Sequence, residues 1–205
     1  MLVITADQDA SRRTGEHVDA LLGSLAELIE AEELPGVLRP FERTVGDEVQ
    51  AVLSDAATTV TLTLHLQRLQ EWSVGIGVGE VEHLAPSSRA SSGPAFIHAR
   101  EAVERAASRT VPAPVTVIGG DPERAADAEA LLQLMAAVVR RRSAAGWQMI
   151  DARRAAPTAR EAAAALGISP QAASQRLQAA LWEEVRGVEP LAAGLLGAMD
   201  PDGAG

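Results

Sequence analysis

The segment from Thr158 to Leu181 has the spacing of a helix-turn-helix motif, and it constrains the fold more than any other part of the chain. Gly167 allows a sharp turn between two helices, and Ser169 and Pro170 suit the cap and the first turn of the second helix. Apolar residues recur at helical spacing on both sides of the turn: Ala162, Ala163 and Leu166, then Ala173, Leu177 and Leu181. The pattern predicts a DNA-reading unit, and a plain α-hairpin is the alternative.

The same segment supplies candidate contacts to double-stranded DNA. If the second helix lies in the major groove, its apolar stripe faces the protein core and its other side faces the bases. A glutamine can form two hydrogen bonds with adenine, and an arginine can bind phosphate. The residues predicted to contact DNA are Arg160, Ser169, Pro170, Gln171, Ala172, Ser174, Gln175 and Arg176.

Charge is distributed unevenly along the chain, whose net charge is −10. Residues 1–120 contain nine arginines and seventeen acidic residues, whereas residues 140–186 contain eight arginines and four acidic residues. A DNA duplex repels the acidic part and attracts the basic part. Two domains are therefore predicted, one over residues 1–120 and a helical one over residues 121–199. The last residues, DPDGAG at 200–205, are predicted to form a disordered tail.

Composition excludes several kinds of chemistry. The chain has no cysteine, so disulfides, thiol nucleophiles and Cys-ligated zinc are excluded. It also has no lysine, which excludes Schiff-base chemistry and the phosphate-binding lysine of a Walker motif. No apolar run is long enough to span a membrane and no leader pattern follows Met1. We therefore expect a cytoplasmic protein without a membrane partner.

Hydrophobic patterns in the first 120 residues predict the element order strand, helix, strand, strand, helix, strand, helix, strand. Short apolar runs mark the strands, and Gly46-Asp47-Glu48 marks a hairpin between the second and third of them. This βαββαβ order with additions predicts the α+β class, with a ferredoxin-like antiparallel sheet that carries helices on one face. Gly75 and Gly77 lie inside a strand pattern, which indicates close backbone approach in the sheet.

A long helix is predicted from Glu123 to Arg142, between the sheet and the helix-turn-helix segment. Its apolar residues suit a linker or the seam of a homodimer, because helix-turn-helix proteins usually bind DNA in pairs. Trp147 and Trp182 flank the segment and are predicted to pack it against this long helix rather than to stack on bases.

Two acidic residues are predicted to lie close together at the centre of the sheet domain. Asp7 ends the first strand and Asp47 is in the hairpin, and the predicted topology makes their strands neighbours. Carboxylate oxygens suit Mg²⁺ or Mn²⁺, which also bind phosphates. The pair is therefore a candidate metal site, and a strand-end cap with a turn acid is the simpler alternative.

Four segments in order, ITADQDASR, FERTVGDEVQAVL, WSVGIGVGEV and GPAFIHAREAVERA, resemble the SatD family and, more distantly, the palm domains of class III nucleotidyl cyclases and GGDEF proteins. The resemblance covers residues 2–110, and a helix-turn-helix after the palm is also similar to SatD proteins. It implies a palm-like domain in which Asp7 and Asp47 take the positions of the two metal-binding aspartates. With a nucleotide as ligand, Gln8, Ser11, Arg12 and Glu48 are the predicted binding residues.

The chain departs from the cyclase pattern where the reaction needs donors. The resemblance places Ile97 and Glu101 at the positions of an Asn and an Arg that stabilise the transition state in class III cyclases. Neither residue can donate to developing negative charge, and removing one such donor costs roughly 3 to 4 kcal/mol. The resemblance therefore implies ligand binding more than turnover.

These patterns together predict a DNA-binding transcriptional regulator whose palm-like domain over residues 1–120 senses a nucleotide or another phosphate-bearing ligand. The alternative is a metal-dependent nucleotidyl cyclase or transferase that uses Asp7 and Asp47. A third hypothesis is a scaffold in which the palm-like domain dimerises and the helices bind protein.

Overall fold

The computed structural model of the chain describes residues 1–8, 16–108 and 111–200. Its strands are β1 (Leu2–Gln8), β2 (Val37–Arg43), β3 (Val49–Leu53), β4 (Trp72–Val78) and β5 (Val115–Ile118). Its α-helices are α1 (Glu16–Ala31), α2 (Ala56–Leu69), α3 (Pro94–Ala106), α4 (Pro122–Arg141), α5 (Ala144–Ala155), α6 (Ala159–Ala165), α7 (Pro170–Ala179) and α8 (Trp182–Gly197). The protein is therefore of the mixed α and β class, as predicted. No helix within the described ranges is long and apolar enough to cross a membrane.

The five strands form one sheet in the order β2-β3-β1-β4-β5. The central strand β1 is antiparallel to β3 and to β4, and β2 is antiparallel to β3. Only β5 is parallel to its neighbour, β4. The element order predicted for residues 1–120 agrees with the structure, and Gly46 adopts a φ of +65° in the predicted hairpin.

Helices cover both faces of the sheet, so the prediction of helices on one face is wrong. Leu2, Ile4 and Ala6 of β1 belong to a large core that also contains apolar residues of α1, α2, α4 and α8. Val3 belongs to a smaller cluster with Ala95 and Ala99 of α3, on the opposite face. A strand that is buried on both sides reads as a continuous apolar run, and β1 does so.

Close approach of α3 to the sheet depends on two glycines of β4. A Cβ atom on Gly77 would lie within 2.8 Å of the Ala95 carbonyl oxygen and of the Ala99 nitrogen and Cα. A Cβ atom on Gly75 would likewise meet the backbone of α3 within 2.7 Å. The predicted role of these glycines is confirmed, because α3 uses the space that a side chain would need.

The large core extends into the C-terminal half of the chain. Leu132 and Met135 of α4 and Leu196 of α8 are fully buried in it, and both helices also contact α2. Asp200, which was assigned to a disordered tail, follows α8 and is 6% exposed, so that assignment is wrong for this residue. Residues 201–205 lie outside the described residues.

Helices α5, α6 and α7 pack on one another around a separate small cluster. Met149 of α5, Ala162 and Ala163 of α6 and Ala173 of α7 are buried there. Gly167 forms the turn between α6 and α7 with a φ of +64°, as its predicted role requires. Leu181 does not continue the apolar stripe of α7, because that helix ends at Ala179. The backbone of Leu181 adopts the left-handed conformation, and the residue is 41% exposed.

Three side-chain caps stabilise the first turns of α5, α6 and α7. The hydroxyl oxygen of Ser143 accepts from the Gly146 N–H at 3.1 Å, at the start of α5. Thr158 and Ser169 cap α6 and α7 in the same way, with distances of 3.2 Å and 3.1 Å. Such caps satisfy N–H groups that a helix leaves unpaired at its first turn.

Candidate functional site

Most of the residues predicted to contact DNA lie on the exposed side of α6 and α7. Gln171, Ser174 and Gln175 are exposed, whereas Ala173 is buried and Leu177 is half-buried against α5 and α6. The remaining candidates are arranged around them: Arg160, Ser169 and Pro170 are exposed, and Ala172 and Arg176 are half-buried. All eight candidates are thus exposed or half-buried and lie on α6, on α7 or at the start of α7.

The positive charge of residues 140–186 does not concentrate on that surface. Arg142, Arg153, Arg154 and Arg186 line a pocket on the other side of α5. Arg140 donates to Gln67 and Gln70 near the end of α2. The sequence interval is basic, but it does not fold into one basic face, so its net charge overstates its attraction for a duplex.

The end of the sheet near Asp7 brings together part of the predicted ligand site. Pairing of Ala6 with Val49 places the end of β1 beside the beginning of β3. Asp7 and Glu48, which lie next to these paired residues, line a depression of about 150 Å³. Gln8 is 2% exposed at the end of β1. The predicted ligand residues Ser11 and Arg12 lie outside the described residues.

The carboxylate of Glu48 is already engaged at this end of the sheet. It accepts hydrogen bonds from the Arg100 guanidinium and from the Thr44 hydroxyl. Within the described residues, no group of three or more histidine, aspartate or glutamate side chains is placed to hold a metal ion. Binding of Mg²⁺ or Mn²⁺ by Asp7 and Asp47 stays a prediction.

Helix α3 presents Ile97 and Glu101 to solvent. Ile97 is 61% exposed and Glu101 is also exposed, whereas Ala95, Ala99 and Val103 of the same helix are buried against the sheet. Neither side chain offers a donor toward Asp7. The positions that the cyclase resemblance assigns to transition-state donors thus carry no such group.

A larger pocket of about 380 Å³ lies where the sheet-packed helices meet α5 and α8. Its walls come from α1, α2, α4, α5 and α8, so residues far apart in sequence form it. Its charged and aromatic lining residues are Glu32, His65, Arg68, Arg142, Trp147, Arg153, Arg154, Trp182, Arg186 and Glu189. We refer to it as the junction pocket.

Arginine and tryptophan side chains alternate along the wall of the junction pocket. The Arg68 guanidinium lies 4.2 Å from the centre of the Trp147 ring, and Arg142 lies 4.9 Å from the same ring. Arg142 is also 5.9 Å from the Trp182 ring, which has Arg154 and Arg186 at 5.3 Å and 5.4 Å. Attraction between each cation and the ring faces holds these side chains in place.

Burial and the neighbouring arginines shift the pKa values of three groups that line the junction pocket. Burial and the nearby Arg68 and Arg154 lower the pKa of His65 from 6.5 to about 4. Burial and Arg154 also lower the pKa of Arg142. Burial raises the pKa of Glu189, although the neighbouring arginines oppose this shift. His65 is therefore neutral at pH 7, because a positive charge there would be buried beside other positive charges.

Sequence reasoning missed the junction pocket, although it had noted some of its residues. Trp147 and Trp182 were predicted to pack against the long helix, and both lie against Arg142 at the end of α4, in agreement with that prediction. The available signal was the arginine pairs that flank these tryptophans, which were counted only as charge. His65 carried no signal, since its isolated position in α2 matches no ligand spacing.

Replacing His65 with glutamine is expected to make the protein more resistant to acid. The unfolded chain takes up a proton at His65 near pH 6.5, but the folded protein does so only near pH 4. The stability that neutral His65 provides is thus present above pH 6.5 and is lost as the pH falls toward 4. At pH 5 this loss amounts to about 2 kcal/mol.

The measurement compares urea-unfolding free energies at pH 7.5 and pH 5.0. His65→Gln should lose about 2 kcal/mol less than the wild type between these pH values. His83→Gln, which changes an exposed imidazole, is the matched control and should lose as much as the wild type. An equal decrease of the unfolding free energy in all three proteins would contradict the prediction that the half-buried His65 is neutral in the folded protein.

A comparison with protein-family models finds no match for this chain, and comparisons with curated proteins and with solved structures find none either. The resemblance to the SatD family therefore stays a prediction that depends on the four sequence segments.

Proposed function

We propose that the protein is a DNA-binding transcriptional regulator in which α7 enters the major groove. One observation carries this proposal: the α5–α7 unit buries Ala162, Ala163 and Ala173 and presents the polar residues of α7 to solvent. The short, glycine-containing turn between α6 and α7 supports it. In DNA-binding helix-turn-helix proteins, the second helix makes the base contacts from such a surface.

Two exposed glutamines supply the specific contacts in this proposal. Gln171 and Gln175 lie one helical turn apart on the exposed side of α7. Each can bind an adenine edge through two hydrogen bonds, which discriminates against other bases by roughly 1 to 3 kcal/mol. Arg160 and Arg176 contact phosphates, and the N-terminal N–H groups of α7 add to them.

The sheet layer is the sensory part of the proposed regulator. Strand order β2-β3-β1-β4, with all three pairings antiparallel, supports a ferredoxin-like palm to which β5 has been added. Exposed Leu134 on α4 and Leu181 after α7 line one apolar groove, which supports a homodimer through a second copy of the chain. A dimer gives two α7 helices, as a two-fold symmetric site in DNA requires.

Selection of bound duplexes from a random pool, followed by affinity measurements over a range of salt concentrations, tests this function. The wild type should bind with an affinity that falls as salt rises. Gln171→Ala should lose discrimination at one position, whereas Arg176→Ala should weaken binding to all duplexes and reduce the salt slope by about one. Arg89→Ala, an exposed arginine in the sheet layer, is the control.

The outcome that overturns this proposal is the absence of salt-dependent duplex binding by the wild type. A decrease in affinity with Arg89→Ala as large as that with Arg176→Ala would also contradict it, because general charge would then explain the binding.

A further inference from the structure

Among the described residues, Arg142 and Arg153 of the junction pocket form no ion pair with an acidic side chain, although Glu189 is close enough to raise the pKa of Arg142. Arg142 donates to the carbonyl oxygens of Ala180 and Leu181, at 2.8 Å and 3.4 Å. Arg153 donates to the Ala156 carbonyl oxygen at 2.8 Å. Both guanidinium groups keep further N–H donors and a full positive charge, since carbonyl groups accept hydrogen bonds without neutralising charge.

The other arginines of the pocket are paired, mostly with acids outside its lining. Arg68 forms two hydrogen bonds with the Asp151 carboxylate, at 2.6 Å and 2.7 Å, and Arg186 lies 3.3 Å from Glu183. Arg154 lies 3.1 Å from Glu32, which does line the pocket. With Asp151 and Glu183 included, five arginines face four acidic residues, the other two being Glu32 and Glu189. The pocket therefore has an excess of positive charge in a partly desolvated place.

We propose that the junction pocket binds a small oxyanion with at least two negative charges, such as a phosphorylated or polycarboxylate metabolite. Arg142 and Arg153 supply charge-assisted hydrogen bonds to its oxygens. Guanidinium groups stacked on tryptophan rings keep their N–H donors at the edge, which suits two-point binding of an oxyanion. The volume of about 380 Å³ lies within the range of small-molecule sites.

Binding would connect the sheet layer to the α5–α7 unit. His65 and Arg68 of α2 line one side of the junction pocket, and Trp147 and Arg153 of α5 line the other. An anion between them is attracted by both and holds the two parts together. This inference does not depend on DNA binding, and its test contains no DNA.

Isothermal titration calorimetry with pyrophosphate and with citrate, at physiological salt and pH 7.5, tests the site. Arg153→Gln should weaken binding roughly 10-fold or more, because it removes a charged donor. Arg142→Gln removes the second charged donor and should weaken binding by a similar factor. Arg141→Gln removes an exposed charge at the end of α4, outside the pocket lining, and should bind within twofold of the wild type.

A preference for pyrophosphate over citrate would assign a phosphate-bearing ligand, and the reverse would assign a carboxylate; either supports an oxyanion site. The proposal is overturned if the wild type binds neither probe. It is also overturned if Arg141→Gln weakens binding as much as Arg153→Gln, because nonspecific attraction would then explain the signal. Circular dichroism melting of each variant verifies that the fold is retained.

Discussion

Replacing Gly77 with alanine is expected to prevent the sheet layer from folding. The new Cβ atom would lie within 2.8 Å of three backbone atoms of α3, at Ala95 and Ala99. Backbone atoms of a helix cannot turn away as the end of a side chain can, so α3 would have to move as a unit. Overpacking a core with a flexible neighbour costs roughly 1 to 3 kcal/mol, and we expect a larger loss here.

Soluble yield and urea unfolding measure this effect. Gly77→Ala should be insoluble or destabilised by more than about 3 kcal/mol, a large part of the stability of a typical domain. Gly23→Ala is the matched control, since Gly23 lies within α1 and a Cβ atom there meets nothing within 4 Å. Alanine should stabilise that position by about 0.5 to 1 kcal/mol. A Gly77→Ala protein with wild-type stability would contradict the packing of α3 on β4.

Replacing Trp182 with alanine is expected to lower the free energy of unfolding by about 3 to 5 kcal/mol. The indole is buried beside Ile150 and Ala180, where α5 meets the beginning of α8. Its removal leaves a cavity and also takes the ring face from Arg142, Arg154 and Arg186. These guanidinium groups would then lie close together without the ring that attracts them.

Urea unfolding followed by circular dichroism measures this loss. Trp182→Phe should lose less than half as much stability as Trp182→Ala, because the phenyl ring fills most of the space and still attracts the arginines. Equal losses for the two variants would contradict the assignment of this stability to the aromatic ring.

Much of the sheet and its helices could be predicted because the signals are local. Val49–Leu53 follows Gly46 in the hairpin and forms β3, the third of the predicted strands. The caps at Ser169 and Asp121 and the prolines that follow them mark the starts of α7 and α4. Alternating or periodic apolar residues and capping residues depend only on near neighbours in sequence.

The position of α3 could not be predicted, because it depends on which face of the sheet is still uncovered. Helices α4 and α8 join α1 and α2 on one face, and α3 takes the other. The sequence of residues 94–106 alone does not indicate which face of the sheet α3 covers. Gly75 and Gly77 were the available clue: they indicated a close neighbour without identifying it.

Of the two candidate sites, the surface of α7 could be predicted from local sequence and the junction pocket could not. The polar side of α7 could be predicted, since Gln171 and Gln175 lie opposite the buried Ala173 on a single helix. The junction pocket could not, because Glu32 and Glu189 meet there from opposite ends of the chain. Its arginines were visible in the sequence only as a local excess of charge, and charge alone does not tell a DNA surface from an enclosed anion site.

The connections of the α5–α7 unit restrict how it can move. The unit lies in sequence between α4 and α8, and both of these helices are packed in the core of the sheet. It is therefore tethered at two points, near Arg142 and Leu181, and Arg142 joins these points through its hydrogen bonds to the Ala180 and Leu181 carbonyl oxygens. Two ion pairs hold it further, since Arg68 of α2 binds Asp151 of α5 and Arg154 of α5 lies 3.1 Å from Glu32. A body on a single linker tumbles freely, whereas these connections give α7 a defined orientation relative to the sheet.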